Sequence, residues 1–515
     1  MNRMTTSRKI PLLRGLSLLL AVLCAYPFSA SAAGAETLTL SIGDAVRMAV
    51  ERNLGLQVAT YSPAIAATGI RKARAIYDPL LSALADHQGS DLNAAPGSSL
   101  VDKRRLFHFD SSISQLLPSG ATASASFTNL WFKDNLGFRS EPGVPTSRFA
   151  QPQLTLSFSQ PLLQRLGRDV TERGITTADD ATDSALADWT LQALNTAAAA
   201  RNQYLVLVKA RETLATRQAS LDLAREVQAQ NEGRVDAGVL AAYQLQDSRL
   251  GVLQARKSLL DAKRAEMDAD DQLRTTLHLQ AGTDVATTSP PLPGTSETSE
   301  SDALRTAMQR RPDIVKARVA VRTAEFNEKV SRNLALPSLA LQGSGGITGF
   351  DAGYGDALDD MGGAKYPSWS VGLSFSVPIG NRSARADVAA NRLIASQART
   401  RLAAVEESAG LEVRTALRAL ASAHEQIGVT EQGVTAAEIL MNSYLKRQLL
   451  GLATTRDVLD VSASLTQARE SYTAARADYQ SAFTNLWKAT GELLDREGIR
   501  QKGNASASRE RKGTP

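Results

Sequence analysis

The sequence predicts an α+β membrane protein made by duplication, a helix–strand–strand–long-helix unit used twice. Three observations carry the prediction. Leu156-Ser157-Phe158-Ser159-Gln160-Pro161-Leu162 recurs as Leu373-Ser374-Phe375-Ser376-Val377-Pro378-Ile379, and a recurrence on this scale marks one supersecondary unit used twice. Within the second copy Trp369, Val371, Leu373, Phe375 and Val377 are large and apolar, while Ser370, Gly372, Ser374 and Ser376 between them are small. Strict alternation puts the two sets on opposite faces, as in a half-buried sheet or a barrel with lipid outside and water inside. Long Ala-rich stretches with heptad spacing then follow each pair of strands.

The chain opens with Arg8, Lys9 and Arg14, an apolar run from Leu16 to Ala25, and small residues from Ser29 to Ala35. Residues 1–35 read as a secretory signal. Cys24 is the only cysteine, and Leu23 before it is too large for a lipoprotein cleavage box. The 58 basic and 53 acidic residues give a formal charge of +5. Arg3, Arg8, Lys9 and Arg14 belong to the signal, which has no acid, so the mature chain is nearly neutral and a nucleic-acid partner is not expected. Beyond the signal no apolar run is long enough to span a bilayer as a helix, so any membrane crossing falls to strands.

The first repeat runs over residues 36–280, with strands at about 80–160 and helices at about 170–278. Asp44-Ala45-Val46-Arg47-Met48-Ala49 matches Asp302-Ala303-Leu304-Arg305-Thr306-Ala307, Pro79 with Leu81 matches Pro337 with Leu339, and Arg234 with Gly238 matches Arg447 with Gly451. A Thr, Ser and Pro-rich linker at 281–300 joins the copies. The second repeat covers 301–496, with strands at about 337–378 and helices at about 382–490. Val461, Leu465, Ala468, Tyr472, Ala475, Tyr479, Ala482 and Leu486 step by alternating threes and fours, a coiled-coil seam. Leu402, Val405, Ala409, Val413, Ala416, Leu420, Ala423 and Ile427 form another. The segment around Ala384–Gln448 would reach roughly 90 Å if continuous. Residues 497–515 are polar and without periodicity, a tail expected to be disordered.

No enzyme is expected. The histidines, at 87, 108, 278 and 424, lack metal-ligand spacing, and there is no serine elbow, phosphate loop or cysteine nucleophile. No cofactor is expected either. The scarcity of His and Met argues against a dedicated soft-metal duct.

The whole pattern resembles the TolC family of outer-membrane efflux proteins. The resemblance rests on Leu40-Ser41-Ile42-Gly43-Asp44-Ala45 with Ala49 and Asn53, the prolines Pro79 and Pro337 before the strands, the two Ser-Phe-Ser-x-Pro exits, and Gly451 followed by Asp457-Val458-Leu459-Asp460. It implies a homotrimer in the outer membrane, its strands sharing one β-barrel and its helices forming a coiled-coil tunnel in the periplasm. It implies a passive exit duct for small molecules or proteins, served by a periplasmic adaptor (a membrane fusion protein) and an inner-membrane pump. On this reading Thr155, Ser157, Ser159, Ser370, Gly372, Ser374 and Ser376 face the barrel lumen, and Pro161 and Pro378 mark the strand-to-helix junctions and pre-set the first helical turn. Arg234, Val235, Ala237, Gly238 and Val239, with Arg447, Leu450, Gly451 and Leu452, form the tips that meet the adaptor. Asp457 and Asp460 share a helix face, and as a gate ring they would repel one another and raise their pKa values. Asp247 and Gln244 stand at the equivalent places in the first copy.

Four strands per protomer are expected, with an additional hairpin between Leu106 and Asn129 that either extends the wall or lies outside it. The stretch Gly343–Lys365 is expected as an external loop, its Asp351, Asp356, Asp359 and Asp360 solvated or around a cation. Trp131, Phe132, Tyr366 and Trp369 are candidates for an interfacial girdle. The competing reading is a secreted coiled-coil scaffold between envelope layers, which would have no use for small polar residues at every second strand position.

Overall fold

The computed structural model describes residues 37–93, 101–141, 144–280, 283–294 and 299–499. The expected signal segment and most of the expected tail lie outside the described residues.

Strand β1 (Thr37–Leu40) leads into helix α1 (Ile42–Arg52) and then α2 (Leu54–Arg74). The first boundary is set by a capping box between Ser41 and Asp44. Asn53 divides the two helices, accepting the Leu56 N–H through its side chain. The sheet strands of the first copy are β2 (Leu80–Asn93), β3 (Val101–Leu116), β4 (Thr122–Glu141) and β5 (Val144–Pro161). A single turn, α3 (Arg168–Thr171), precedes α4 (Arg173–Asp236) and α5 (Gln244–Leu277). The linker is not wholly free: β6 (Asp284–Thr287) pairs parallel with β1. The second copy then gives α6 (Glu300–Arg310), α7 (Pro312–Leu334), β7 (Ser338–Thr348), α8 (Tyr354–Gly362) and β8 (Tyr366–Ser376). It ends with α9 (Arg382–Leu449), α10 (Thr455–Thr490) and α11 (Leu493–Arg496). Each copy therefore has a second helix, α2 or α7, between its short helix and its first strand, which the sequence pattern did not single out.

One antiparallel sheet of six strands runs β2-β3-β4-β5-β7-β8. This corrects the expectation of four. The additional hairpin, β3 with β4, sits inside the wall between the strands that match β7 and β8. The expected loop after Gly343 is also reassigned: residues 343–348 complete β7, and 354–362 fold as α8.

Helix α4 has 64 residues and α9 has 68, so each spans roughly 100 Å. Each folds back on its partner, α4 on α5 and α9 on α10. The predicted seams are the packed ones, with Val413, Ala416, Leu420, Ala423, Tyr479, Ala482 and Leu486 buried together with Ala303 and Ala307 of α6. The first copy repeats the arrangement: Ala45 and Ala49 of α1 pack with Ala200, Tyr204, Leu207, Ala269, Leu273 and Leu277. Alanine at so many seam positions lets backbones approach closely, which suits two tightly wound hairpins. No described helix is long and apolar enough to cross a membrane.

Candidate functional site

The sheet sorts its side chains by pleat. Register pairs Ser114 with Ser124, Ser124 with Ser157, Ser157 with Ser344, and Ser344 with Ser370. One rung further from the helices Ser82, Ser112, Ser126, Thr155, Gly346 and Ser368 line up in the same way. Ser159 stands opposite Gln342, which faces Gly372; Ser374 and Ser376 pair with Ala340 and Ser338. The seven residues proposed for the lumen therefore share one face, and the inserted strands continue it. Two hydroxyl pairs bridge strands directly, Ser82 with Ser112 and Ser344 with Ser370, each at 2.8 Å. On the other face Trp369, Val371, Leu373 and Phe375 are 64–82 % exposed, an apolar surface with no covering inside the protomer.

Aromatic placement is split by the same pleat. Trp131 and Trp369 lie on the apolar face. Trp131 contacts Phe107 at 5.2 Å and Tyr354 of α8 at 4.8 Å between ring centroids. Phe132 and Tyr366 fall on the hydroxyl face, where Phe132 stacks on Phe149 at 5.0 Å. Those two are corrected: one residue of offset turns a side chain to the opposite side.

At the junctions neither proline opens a helix: Pro161 is the last residue of β5, and Pro378 lies two residues past the end of β8. Pro161 still pairs with Ala340, and the Leu162 N–H donates to the Leu339 carbonyl. The turns into the helices come later, at Arg165 (φ 66°) and Gly167 (φ 99°) in one copy and Gly380 (φ 84°) and Asn381 (φ 40°) in the other. Each is pinned near the end of α7. Asn333 Oδ1 accepts the Arg165 N–H at 2.8 Å, and Asn381 Nδ2 donates to the Ala335 carbonyl at 2.9 Å. Glycine or asparagine after the strand proline was the available signal for three of these four residues.

The two helical tips are near copies. Gly238 and Gly451 adopt φ of 71° and 72°. The Val239 N–H donates to the Arg234 carbonyl at 2.9 Å, and the Leu452 N–H to the Arg447 carbonyl at 2.8 Å, the Schellman pattern that ends a helix at a left-handed residue. Nothing crowds either Cα, so backbone conformation alone selects glycine. The tips also meet each other: Arg234 Nη1 donates to the Gln448 carbonyl at 3.3 Å, and Asn231 Nδ2 to Thr455 Oγ1 at 2.8 Å. Val235 is half-buried and Ala237 exposed. Val239, Leu450 and Leu452 are 69–74 % exposed, and Arg447 lies 5.6 Å from the Tyr444 ring centre.

Asp457 and Asp460 begin α10 directly beyond the second tip. Asp457 closes a capping box with Thr454: the Thr454 hydroxyl and N–H donate to its Oδ2 at 2.6 and 2.8 Å, and its own N–H donates to Thr454 Oγ1 at 3.2 Å. Those hydrogen bonds, the hydroxyl first, hold its carboxyl below the ordinary value. Within the protomer this is opposite to the rise expected from like-charge repulsion. Asp460 is exposed one turn on. In the first copy Ala241 stands where Thr454 does, and α5 begins without a side-chain cap. Among the described residues no group of acidic, His or Cys side chains could hold a metal ion, the acids of α8 included; there Asp360 pairs with Lys365 at 3.0 Å.

A profile of the outer membrane efflux protein family matches residues 303–492, nearly the whole second copy. The outer membrane efflux protein BepC of Brucella suis biovar 1 (strain 1330) is 26 % identical over 195 residues, which span 38 % of this chain and 41 % of that relative. In fold, the chain is similar to the Campylobacter jejuni CmeC outer membrane channel, with a TM-score of 0.62 at 16 % identity, covering 91 % of this chain and 88 % of that one. It is equally similar to the outer membrane protein VceC of Vibrio cholerae, with a TM-score of 0.62 at 17 % identity over 87 % and 96 % of the two chains. The chain thus carries a match to the outer membrane efflux protein family over its second copy and has the fold of outer-membrane channels along nearly its whole length.

Proposed function

We propose that this chain is one protomer of a passive outer-membrane exit duct. Three copies would close one barrel and one helical tunnel, and cargo, small molecules or proteins, would pass from periplasm to exterior. The observation that carries the reading is the open sheet, hydroxyl-lined on one face and apolar and exposed on the other, with unpaired edges at β2 and β8. Long unpaired edges invite further pairing, and closing the sheet on itself through other copies removes them. Near the helices the duct wall of Ser, Thr and Gly offers passing solutes weak, uncharged contacts, and further along β2 and β3 the same face carries Asp86, His108 and Asp110. The inserted hairpin widens the wall, since barrel diameter grows with strand number.

The exposed apolar tips support docking of a periplasmic adaptor, which would connect the duct to an inner-membrane pump. Energy and cargo choice would come from those partners. Asp457 and Asp460, repeated by symmetry at the tunnel end, would form an acidic gate that favours cations and repels anions.

Single-channel conductance of the signal-cleaved protein in a planar lipid bilayer tests the reading. The expected result is discrete, long-lived openings that prefer cations. Asp457→Ala combined with Asp460→Ala should raise conductance and weaken block by divalent cations; unchanged conductance and block would remove the gate assignment. Silence from both the wild type and this double variant, once inserted and trimeric, would favour a scaffold without a pore.

A further inference from the structure

We propose that the outer face of the wall binds the phosphate headgroup of an outer-leaflet lipid, in a cationic cleft on the inserted hairpin. The proposal rests on the sheet being part of a barrel in a bilayer. Register sets Arg105 opposite Lys133, and Lys133 opposite Arg148. Three cations thus stand in one row across β3, β4 and β5. Directly opposed like charges destabilise a sheet, so the row calls for an anion. Arg105 has one in Asp91, at 2.8 Å. Among the described residues Lys133 and Arg148 have no acidic partner, and both are exposed.

The row's position identifies the anion as a lipid's. By pleat it shares the face of Leu154, Leu156 and Phe158. The neighbouring rung, toward the helices, is aromatic, with Phe107 and Trp131 against Tyr354. From Phe158 to Arg148 is ten residues of β5, about 33 Å of strand, and at the usual barrel tilt about 25 Å of height. That is the height of a barrel's apolar band, so the cations begin where headgroups do and the aromatics sit at the boundary. A cleft of about 470 Å³ opens there, lined by the three cations, Trp131 and the Gly353–Tyr354 turn. Arginine and lysine supply the donors, arginine in the forked geometry that suits phosphate oxygens. The aromatic rung gives the glycerol or sugar end of the headgroup a flat surface.

The test measures binding of a fluorescent phosphatidic acid to the purified mature protein in neutral detergent, with phosphatidylcholine and inorganic phosphate as competitors. Phosphatidic acid should bind, and neither competitor should displace it at matched concentration. Lys133→Gln and Arg148→Gln should each weaken binding about fivefold, and the pair about 25-fold. The charge-preserving pair Lys133→Arg with Arg148→Lys should retain binding, which separates loss of charge from loss of fold. Unchanged affinity in the Gln pair overturns the proposal. Displacement by inorganic phosphate at matched concentration assigns the cleft to free phosphate and overturns the lipid. The Gln pair should conduct as the wild type does, so loss of pore activity and loss of lipid binding remain separate failures.

Discussion

At Asp457 two demands fall on one carboxylate. It caps α10 through Thr454, and it is half of the proposed gate. Capping requires it ionised, and its pKa, held below 3.8 chiefly by the Thr454 hydroxyl, keeps it so. The sign follows directly: a lowered folded-state pKa contributes stability that is present above the unfolded value of 3.8 and is lost as pH falls through the lowered one. The tip is therefore expected to hold its cap across neutral and mildly acid pH and to fray only in strong acid. Thr454→Ala should loosen the first turn of α10 at neutral pH, seen as roughly fivefold faster amide hydrogen exchange over residues 455–458. Asp460→Ala should leave that exchange unchanged while altering divalent block, because its carboxylate takes no part in the cap. Spacing alone placed both acids on one helix face. The cap is legible in the sequence too, in Thr454 followed three residues later by Asp457. Trp131 and Phe132 teach a second residue-scale lesson. Adjacent aromatics near a strand end read as one girdle in sequence, yet the pleat sends one to each face.

Elements were legible where their period was long and uninterrupted. The seams of α9 and α10 showed in sequence because Ala and Leu recur over many heptads, and Val413, Ala416, Leu420, Ala423, Tyr479, Ala482 and Leu486 of those seams are buried. Helix α2 was hidden by Pro63, Gly55 and Gly69, all tolerated inside it. Strand β2 pairs with β3 along its whole length although its own alternation is weak, because register against a neighbour, not intrinsic pattern, fixes a strand in a wall. The tips give a sharper test. Gly451→Ala forces a side chain into left-handed backbone and should cost about 1–2 kcal/mol of local stability, read as a lower thermal midpoint with trimers intact. Gly451→Pro cannot adopt that conformation and should abolish crosslinking to the adaptor; normal crosslinking would count against a docking role. The linker is anchored by Tyr204, fully buried, whose hydroxyl lies 2.8 Å from the Leu40 carbonyl and 2.7 Å from that of Thr288 while accepting the Thr288 N–H at 3.0 Å. Tyr204→Phe strands those groups and should destabilise the fold by about 1–3 kcal/mol, measured by denaturant titration.

For the whole molecule, the protomer leaves apolar surface that its own chain never covers. Leu54, Val58, Tyr61 and Ile65 step by four, three and four along α2 and are 54–70 % exposed. That is a helical seam without a partner, on the side away from α4, against which α2 packs. Leu250, Leu253, Leu260 and Met267 make a comparable row on α5, 54–62 % exposed. A chain that kept such stripes bare would aggregate, since contiguous apolar patches of this kind mark contact surfaces. Proposed trimerisation gives them an occupant, a neighbouring copy, and uses the two unpaired sheet edges in the same step. Two assemblies of one chain can be told apart by substituting only what the protomer exposes. Val58→Glu with Ile65→Glu should leave the helical content of the isolated chain unchanged, because exposed substitutions shift stability by no more than about 0.5 kcal/mol. In an assembled ring each added carboxylate would be buried without a partner, several kcal/mol against association per site. Native mass spectrometry should then show monomers in place of trimers, with the circular dichroism of the wild type. Trimers that persist in this variant would place α2 on the outside of the assembly and move the contact to another face of the helices.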